Sequence, residues 1–156
     1  MRLILLILVS ICLFGCETPP PIPDGTDLRM TNKGFAFPFE IKIYEFDNTE
    51  LENQDIINEK ISCFSDKTTI VWSRINQLES NIKYYLIRDI ESIASNIDTL
   101  EEFVTLNDKI STSEEIYFTG CYSMIKDVKG KNIPNYNYMY FIDFEEKRFY
   151  SIIFQR

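Results

Sequence analysis

The sequence predicts an α+β fold in which an antiparallel sheet carries a central helical segment on one face. Three observations predict it: a run near residue 35 alternates apolar and polar side chains, a central stretch repeats apolar residues at the helical period, and three β-rich runs close the chain. The sheet is expected to contain an N-terminal strand, a short hairpin and a C-terminal three-stranded meander. We expect residues 35–156 to form one globular domain.

The N-terminal strand is predicted from a period of two in the apolar residues. The alternating positions are Phe35, Phe37, Phe39, Ile41 and Ile43. Pro38 lies in this run and cannot donate a hydrogen bond to a neighbouring strand, so we expect an edge strand or an early strand position. Two shorter β-rich runs, Ile61–Phe64 and Thr68–Trp72, flank a polar tripeptide and predict the hairpin.

The helical segment is predicted from apolar residues spaced by three or four. These residues are Ile75, Leu78, Ile82, Leu86, Ile90, Ile93, Ile97, Leu100 and Val104. Their mean spacing is that of an α-helix, and Ser73 is a candidate N-cap. Thr99 and Glu102 form a capping-box pattern, which predicts a break near Asn96 and a second helix after it. The run Ile82–Ile87 also fits a strand, and we favour a helix there.

The meander is predicted from three β-rich runs, Glu115–Ile125, Tyr136–Phe144 and Phe149–Phe154. Gly130 lies in the first loop, and four charged residues form the second turn. The last 42 residues hold 11 of the 22 aromatic residues, so we expect the densest part of the core there. The middle run has apolar residues on both faces, which is typical of a strand covered on both sides.

The first residues have the pattern of an export signal. Arg2 precedes an uncharged apolar run from Leu3 to Phe14, which is too short to cross a hydrocarbon core of about 30 Å. The residues that close this run, Leu13-Phe14-Gly15-Cys16, resemble the lipobox of bacterial lipoprotein precursors. The resemblance covers residues 1–16 only. It implies a signal peptide at 1–15, cleavage before Cys16, and diacylglycerol with palmitate-type chains on that thiol; the alternative is an ordinary secreted protein.

Residues 16–34 are predicted to be the lipidated cysteine and a proline-rich tether. Residues 17–34 contain four of the six prolines and no dense apolar pattern. In polyproline geometry, at about 3.1 Å per residue, residues 17–25 alone would span roughly 25–30 Å. We therefore expect a protein of the cell envelope that is anchored by lipid, at the outer membrane or the periplasmic face rather than in the cytoplasm.

Cys63 and Cys121 are the candidate disulfide partners. Export would place them in an oxidising compartment, and a bridge between them would stabilise the fold by roughly 4 kcal/mol on the chain-entropy model. The alternative is two separate buried thiols that pack as small apolar side chains.

Composition excludes several classes of function. The net charge of −8 argues against nucleic acid, which clustered basic residues would bind. This charge favours a basic partner or, in the interpretation we prefer, keeps the domain soluble. The sequence has no histidine, and so lacks the commonest general base and transition-metal ligand. We expect no metal, no cofactor and no enzymatic activity.

Two sets of residues are candidates for recognition or modification. Tyr136, Tyr138 and Tyr140 could form a recognition face, because aromatic side chains are frequent at binding hot spots; core packing is the alternative that we favour. Asp98-Thr99-Leu100 is similar to a sequon for O-glycosylation of exported proteins in some Gram-negative bacteria. We favour the capping role for Thr99.

These observations together predict a lipid-anchored, non-enzymatic lipoprotein of the cell envelope that binds a protein partner, with an immunity or inhibitor role as one form of this function. The first alternative is a structural or assembly lipoprotein of the outer membrane. A hydrolase that uses carboxylates is a weaker alternative, because it rests on carboxylates alone.

We expect Cys16→Ser to remain unprocessed or to lose its membrane anchor, because the variant has no thiol for lipid attachment. Membrane fractionation and intact-mass measurement check this. Cys12→Ser is the matched control and should be processed normally, since Ile11 is too large for the position next to a cut. A Cys16→Ser variant that is both processed and membrane-bound would contradict the assignment.

Overall fold

The computed structural model describes residues 27–33, 39–46, 57, 63, 68–95, 101–113 and 115–154. Its elements in chain order are β1 (Asp27–Lys33), β2 (Phe39–Glu45), β3 (Thr68–Arg74), a 3₁₀ turn (Ile75–Gln77), α1 (Ser80–Ala94), α2 (Glu101–Lys109), β4 (Ile116–Lys126), β5 (Asn132–Asp143) and β6 (Arg148–Phe154). The six strands form one antiparallel sheet in the order β1-β2-β6-β5-β4-β3. The predicted α+β class is confirmed.

The meander β4-β5-β6 forms the middle of the sheet, as the C-terminal runs predict. β5 is paired along its length with β4, from Asn132 opposite Lys126 to Asp143 opposite Ile116. Its second half is also paired with β6. β2 joins the other side of β6, and β3 joins the other side of β4. The second strand, β2, and the last strand, β6, are therefore neighbours in the sheet.

The N-terminal part of the sheet differs from the prediction in two ways. β2 buries Phe39, Ile41 and Ile43 as expected, and it lies between β1 and β6, so it is not an edge strand. The other position expected from Pro38, early in the strand, agrees with the start of β2 at Phe39, although Phe35, Phe37 and Pro38 themselves lie outside the described residues. β1 extends the sheet back to Asp27, so the boundary expected at residue 35 is wrong, and the predicted tether can reach no further than residue 26. An edge strand can be held by backbone hydrogen bonds on one side, so it needs no regular apolar pattern.

The structure describes only part of the predicted hairpin. Its second run lies within β3, which pairs with β4 at the edge of the sheet. Of its first run, only Cys63 is among the described residues. The pairing of the two runs with each other therefore stays a prediction.

The helical segment is divided into two helices, as the capping-box pattern predicts, but it begins later than expected. Ser73 lies in β3, so its predicted role as a helix N-cap is wrong. Ile75 is buried in the 3₁₀ turn, where the backbone N–H of Leu78 donates to its carbonyl at 3.3 Å. A 3₁₀ turn also places residues three apart on one face, and this explains why the apolar spacing started too early. The run Ile82–Ile87 is helical, as we favoured.

One face of the sheet packs against both helices. The helices contribute Leu86 and Ile90 from α1 and Phe103 and Leu106 from α2, all without solvent exposure. The sheet contributes apolar side chains from β2, β4, β5 and β6. These include Ile41, Ile43, Phe118, Met139, Phe141, Tyr150 and Ile152. This contact forms the larger part of the core.

The opposite face of the sheet, called here the second face, carries a separate buried cluster. Its members are Phe46, Trp72, Cys121, Tyr140, Ile142 and Phe149. Ile57 and Cys63, which belong to the connection between β2 and β3, pack against this cluster. A disulfide joins Cys63 to Cys121 of β4, with their Cα atoms 5.9 Å apart. The predicted bridge is thus present, and it fastens that connection onto the second face.

Candidate functional site

β4 and β5 extend beyond the rest of the sheet as a two-stranded arm, defined here as residues 123–135. Within the arm the strands pair from Ser123 opposite Asn135 to Lys126 opposite Asn132. Within the part of the chain that the structure describes, the pairing of β3 with β4 reaches Tyr122 and that of β6 with β5 reaches Tyr138. Among the described residues, no further strand pairs with the arm. It therefore projects from one end of the sheet.

The turn at the tip of the arm is held by Asp127. Its Oδ1 accepts hydrogen bonds from the backbone N–H groups of Lys129 and Lys131, each at 2.8 Å, and its carbonyl accepts one from Gly130 at 2.9 Å. Gly130 has a φ of 76°, a left-handed conformation that glycine adopts without steric cost. These bonds fix the shape of the tip.

The surface of the arm combines exposed apolar side chains with lysines. Met124 and Ile125 are 45% and 41% exposed, and Val128 at the tip is fully exposed. Lys126, Lys129 and Lys131 are exposed as well. With Asp127 as the single acidic residue, the arm has a net charge of +2, whereas the whole chain has −8.

A β-bulge at the base of the arm divides the three tyrosines of the predicted recognition face. Tyr138 lies opposite Cys121 and Tyr136 lies opposite Tyr122, so Asn137 is an extra residue in β5. Tyr136 consequently belongs to the cluster under the helices, whereas Tyr138 and Tyr140 belong to the second face. Tyr136 and Tyr140 are each only 2% exposed. The three do not form one recognition face, because the strand changes register between them, and the burial of Tyr136 and Tyr140 agrees with the core packing that we favoured.

A cleft of about 300 Å³ lies between the base of the arm and α1. Its apolar lining consists of Phe39, Ile93, Ile125, Ile133, Pro134 and Phe154. Arg88, Asp89, Ser92 and Asn135 supply the polar part. This volume is at the lower end of the range for ligand pockets. Ile125 both lines the cleft and is 41% exposed on the arm, so the cleft and the arm share this residue.

Charges at the edge of the cleft connect α1 to the arm. The Arg88 guanidinium donates to Asp89 Oδ1 through Nη2 at 2.8 Å and through Nε at 3.2 Å. Burial raises the pKa of Asp89, although Arg88 opposes this. The Tyr85 ring lies 4.6 Å from Cζ of Arg88 and 5.3 Å from Nζ of Lys131, within the range of cation–π contacts. The Lys131 contact ties the arm to α1.

The acidic residues of the turn between β5 and β6 lie at the opposite end of the sheet. Lys109, at the end of α2, places its Nζ at 3.0 Å from Asp143, 2.8 Å from Glu145 and 3.3 Å from Glu146. Burial opposes the charge of Lys109, but its hydrogen bonds to Glu145 and Asp143 raise its pKa. Asp143 Oδ1 also accepts the backbone N–H groups of Glu145 and Glu146 at 3.0 Å. The cluster thus clamps α2 to the turn.

The structure describes only some of the remaining residues that were predicted as sites. Cys16 and Thr99 lie outside the described residues, so lipidation and glycosylation stay predictions. Among the described residues there is no group of three or more His, Cys, Asp or Glu side chains arranged to hold a metal ion. The described helices include none that is long and apolar enough to cross a membrane.

The arm was missed by the sequence reasoning, because the signal for it is the difference in length between neighbouring strands, which is known only once they are paired. β4 and β5 have 11 and 12 residues, whereas their neighbour β6 has 7, so the excess must project beyond the sheet. The predicted middle strand began at Tyr136, four residues after the true start at Asn132, and this concealed the excess.

Comparisons with known proteins give no further guidance to the site. Searches against protein-family models, curated proteins and solved structures found no match to this chain.

Asp143→Asn tests the clamp between α2 and the turn. The change removes the charge that faces Lys109 but keeps an oxygen for the backbone N–H groups. We expect a loss of about 1–3 kcal/mol in the free energy of unfolding, because the Asp143 side chain is fully buried. Urea denaturation measures this loss.

Glu145→Gln is the matched control, because Glu145 contacts the same Lys109 Nζ with a side chain that is 63% exposed. A loss below about 1 kcal/mol is expected for this exposed pair. Equal losses in the two variants would show that burial of Asp143 does not set the strength of the clamp.

Proposed function

We propose that this chain is a lipid-anchored, non-enzymatic lipoprotein of the cell envelope that binds a protein partner through the arm and the adjoining cleft. The position of the arm supports the proposal most directly. It lies at the end of the sheet opposite to Asp27, where the chain enters the fold from the predicted tether.

The pairing of the strands establishes this geometry. Asp27 lies opposite Glu45, Glu45 opposite Arg148, and Arg148 opposite Asp143. The chain therefore enters the sheet beside the turn between β5 and β6, whereas the tip of the arm is at the far end of β5. Twelve residues of extended strand span about 40 Å. A lipid on Cys16 would hold the turn nearer to the membrane and direct the arm away from it.

The side chains of the arm favour binding over a purely structural role. Met124, Ile125 and Val128 keep much of their apolar surface in water, and none of them belongs to either buried cluster. Contiguous exposed apolar surface is typical of interaction sites. A projecting arm with a fixed tip suits insertion into a concave surface of another protein. An immunity or inhibitor role is the form of the function that uses this shape.

Two further observations support the compartment and the absence of catalysis. The Cys63–Cys121 disulfide is consistent with an exported protein, because such bonds persist in oxidising compartments. At the cleft, the Arg88 guanidinium and the Asp89 carboxylate are hydrogen-bonded to each other. Because these two groups are bonded to each other, they are better suited to orient a partner than to transfer a proton.

A photo-crosslinking amino acid at position 128 of the full-length chain tests the proposal in the cells that produce it. Val128 is fully exposed, so the replacement should leave the fold unchanged. We expect one discrete protein adduct, detected as a band of higher mass and identified by mass spectrometry. Val104, 44% exposed on α2, is the control position and should give no such adduct. An adduct to lipid alone at position 128, or no adduct, would contradict a protein partner.

A further inference from the structure

We infer that the partner presents an apolar side chain flanked by carboxylates, and that this side chain enters the cleft while the carboxylates meet the lysines of the arm. The inference rests on the proposed function and names the chemistry of the partner. It follows from three features: the local charge of the arm, the lining of the cleft and the shape of the surface that they form together.

The local charge of the arm is opposite to that of the chain. Asp127 is its only acidic residue, and its carboxylate accepts the N–H groups of Lys129 and Lys131. Charges are screened over about 8–10 Å at physiological ionic strength, so the acidic turn some 40 Å away contributes little at the tip. In the cleft, Asp89 and Arg88 are paired and offset each other, so the charge of this surface is that of the arm. The net charge of the chain favours a basic partner, but the field at this surface favours an acidic one.

The lining of the cleft selects an apolar side chain. Phe39 and Ile93 are 1% and 5% exposed and form part of its inner wall. Ile125 and Ile133, from the two strands of the arm, form another part, so the arm itself shapes the cleft. A buried apolar anchor within a charged, water-exposed rim is the usual arrangement of a binding hot spot.

The polar edge of the cleft adds a second contact for a carboxylate. The Arg88 side chain is 48% exposed while it is bonded to Asp89. An exposed guanidinium has further N–H donors in a planar fork that matches a carboxylate. A partner with an acidic residue next to its apolar anchor can therefore contact Arg88 as well as the arm.

The shape of the surface favours a protein segment over an anionic bilayer. Lysines and exposed apolar residues on the arm alone would suit either. The cleft is a recess between α1 and the arm, and a flat bilayer surface cannot fill it. Its apolar wall would then remain unused. Protein segments, by contrast, commonly place a side chain in a recess of this volume.

Fluorescent nine-residue peptides test the inference with the full-length mature protein in detergent. One peptide has a central Phe flanked by Asp and Glu, a second has the same flanks with central Ala, and a third has central Phe flanked by Lys and Arg. We expect the acidic peptide with Phe to bind at least about tenfold more tightly than either control, measured by fluorescence anisotropy.

Two hairpin-turn lysines at opposite ends of the sheet form a matched pair of variants. Lys129→Glu at the tip of the arm should weaken binding of the acidic Phe peptide about twofold to fivefold, as expected for one exposed charge contact. Lys147→Glu, in the turn between β5 and β6, should leave the affinity unchanged. Both variants change the net charge by the same amount. A difference in their affinity for the peptide therefore shows that the position of the lysine matters.

The inference is overturned if the basic peptide binds as well as the acidic one, if no peptide binds, or if Lys147→Glu weakens binding as much as Lys129→Glu. Binding to phosphatidylglycerol vesicles without peptide binding would overturn it in favour of a membrane contact. If position 128 crosslinks to a protein but the acidic peptide does not bind, the proposed function stands and only the chemistry inferred for the partner fails.

Discussion

Burial of the middle strands on both faces of the sheet is the constraint on which the rest of the structure depends. β5 and β6 direct Phe141 and Ile152 towards the helices and Tyr140 and Phe149 towards the second face. Burial of each large apolar side chain of this kind stabilises the fold by roughly 1.5–3 kcal/mol, so both faces of the sheet must be shielded from water. The helices cover one. Ile57 and Cys63, the two described residues of the connection between β2 and β3, pack on the other.

The same constraint explains where the molecule exposes apolar surface. β4 and β5 are covered on both faces only where they have strand neighbours on both sides. Among the described residues those neighbours reach only to Tyr122 and Tyr138, and beyond them Met124 is 45% exposed and Val128 fully exposed. The bulge at Asn137 marks the transition, because it turns Tyr136 into the core under α1. The arm is thus a continuation of the core strands with which no further described strand pairs, and its exposed apolar side chains are the reason why we assign it to an external partner.

Periodicity in the sequence predicts the parts of the fold that depend on local pattern. The buried positions Phe39, Ile41 and Ile43, the two helices and the three C-terminal strands follow from it, and the Cys63–Cys121 pairing follows from cysteine number and export. β1 carries no such pattern, and its place in the sheet is given by its pairing with β2. The bulge and the arm depend on which residues of β4, β5 and β6 lie opposite one another. That register is a non-local property, so the cleft and the arm could not be predicted, and the tyrosine row was misplaced.

The central claim about stability is that the Cys63–Cys121 disulfide holds Ile57 and Cys63 on the second face of the sheet. Unfolding of the mature protein in urea tests this claim most directly. Replacing both Cys63 and Cys121 with Ala releases the connection from β4 at small cost in side-chain volume. Because the bridged residues are 58 apart in sequence, we expect a loss of roughly 4 kcal/mol in the free energy of unfolding. A loss of less than about 0.5 kcal/mol, the usual range for surface substitutions, would contradict it.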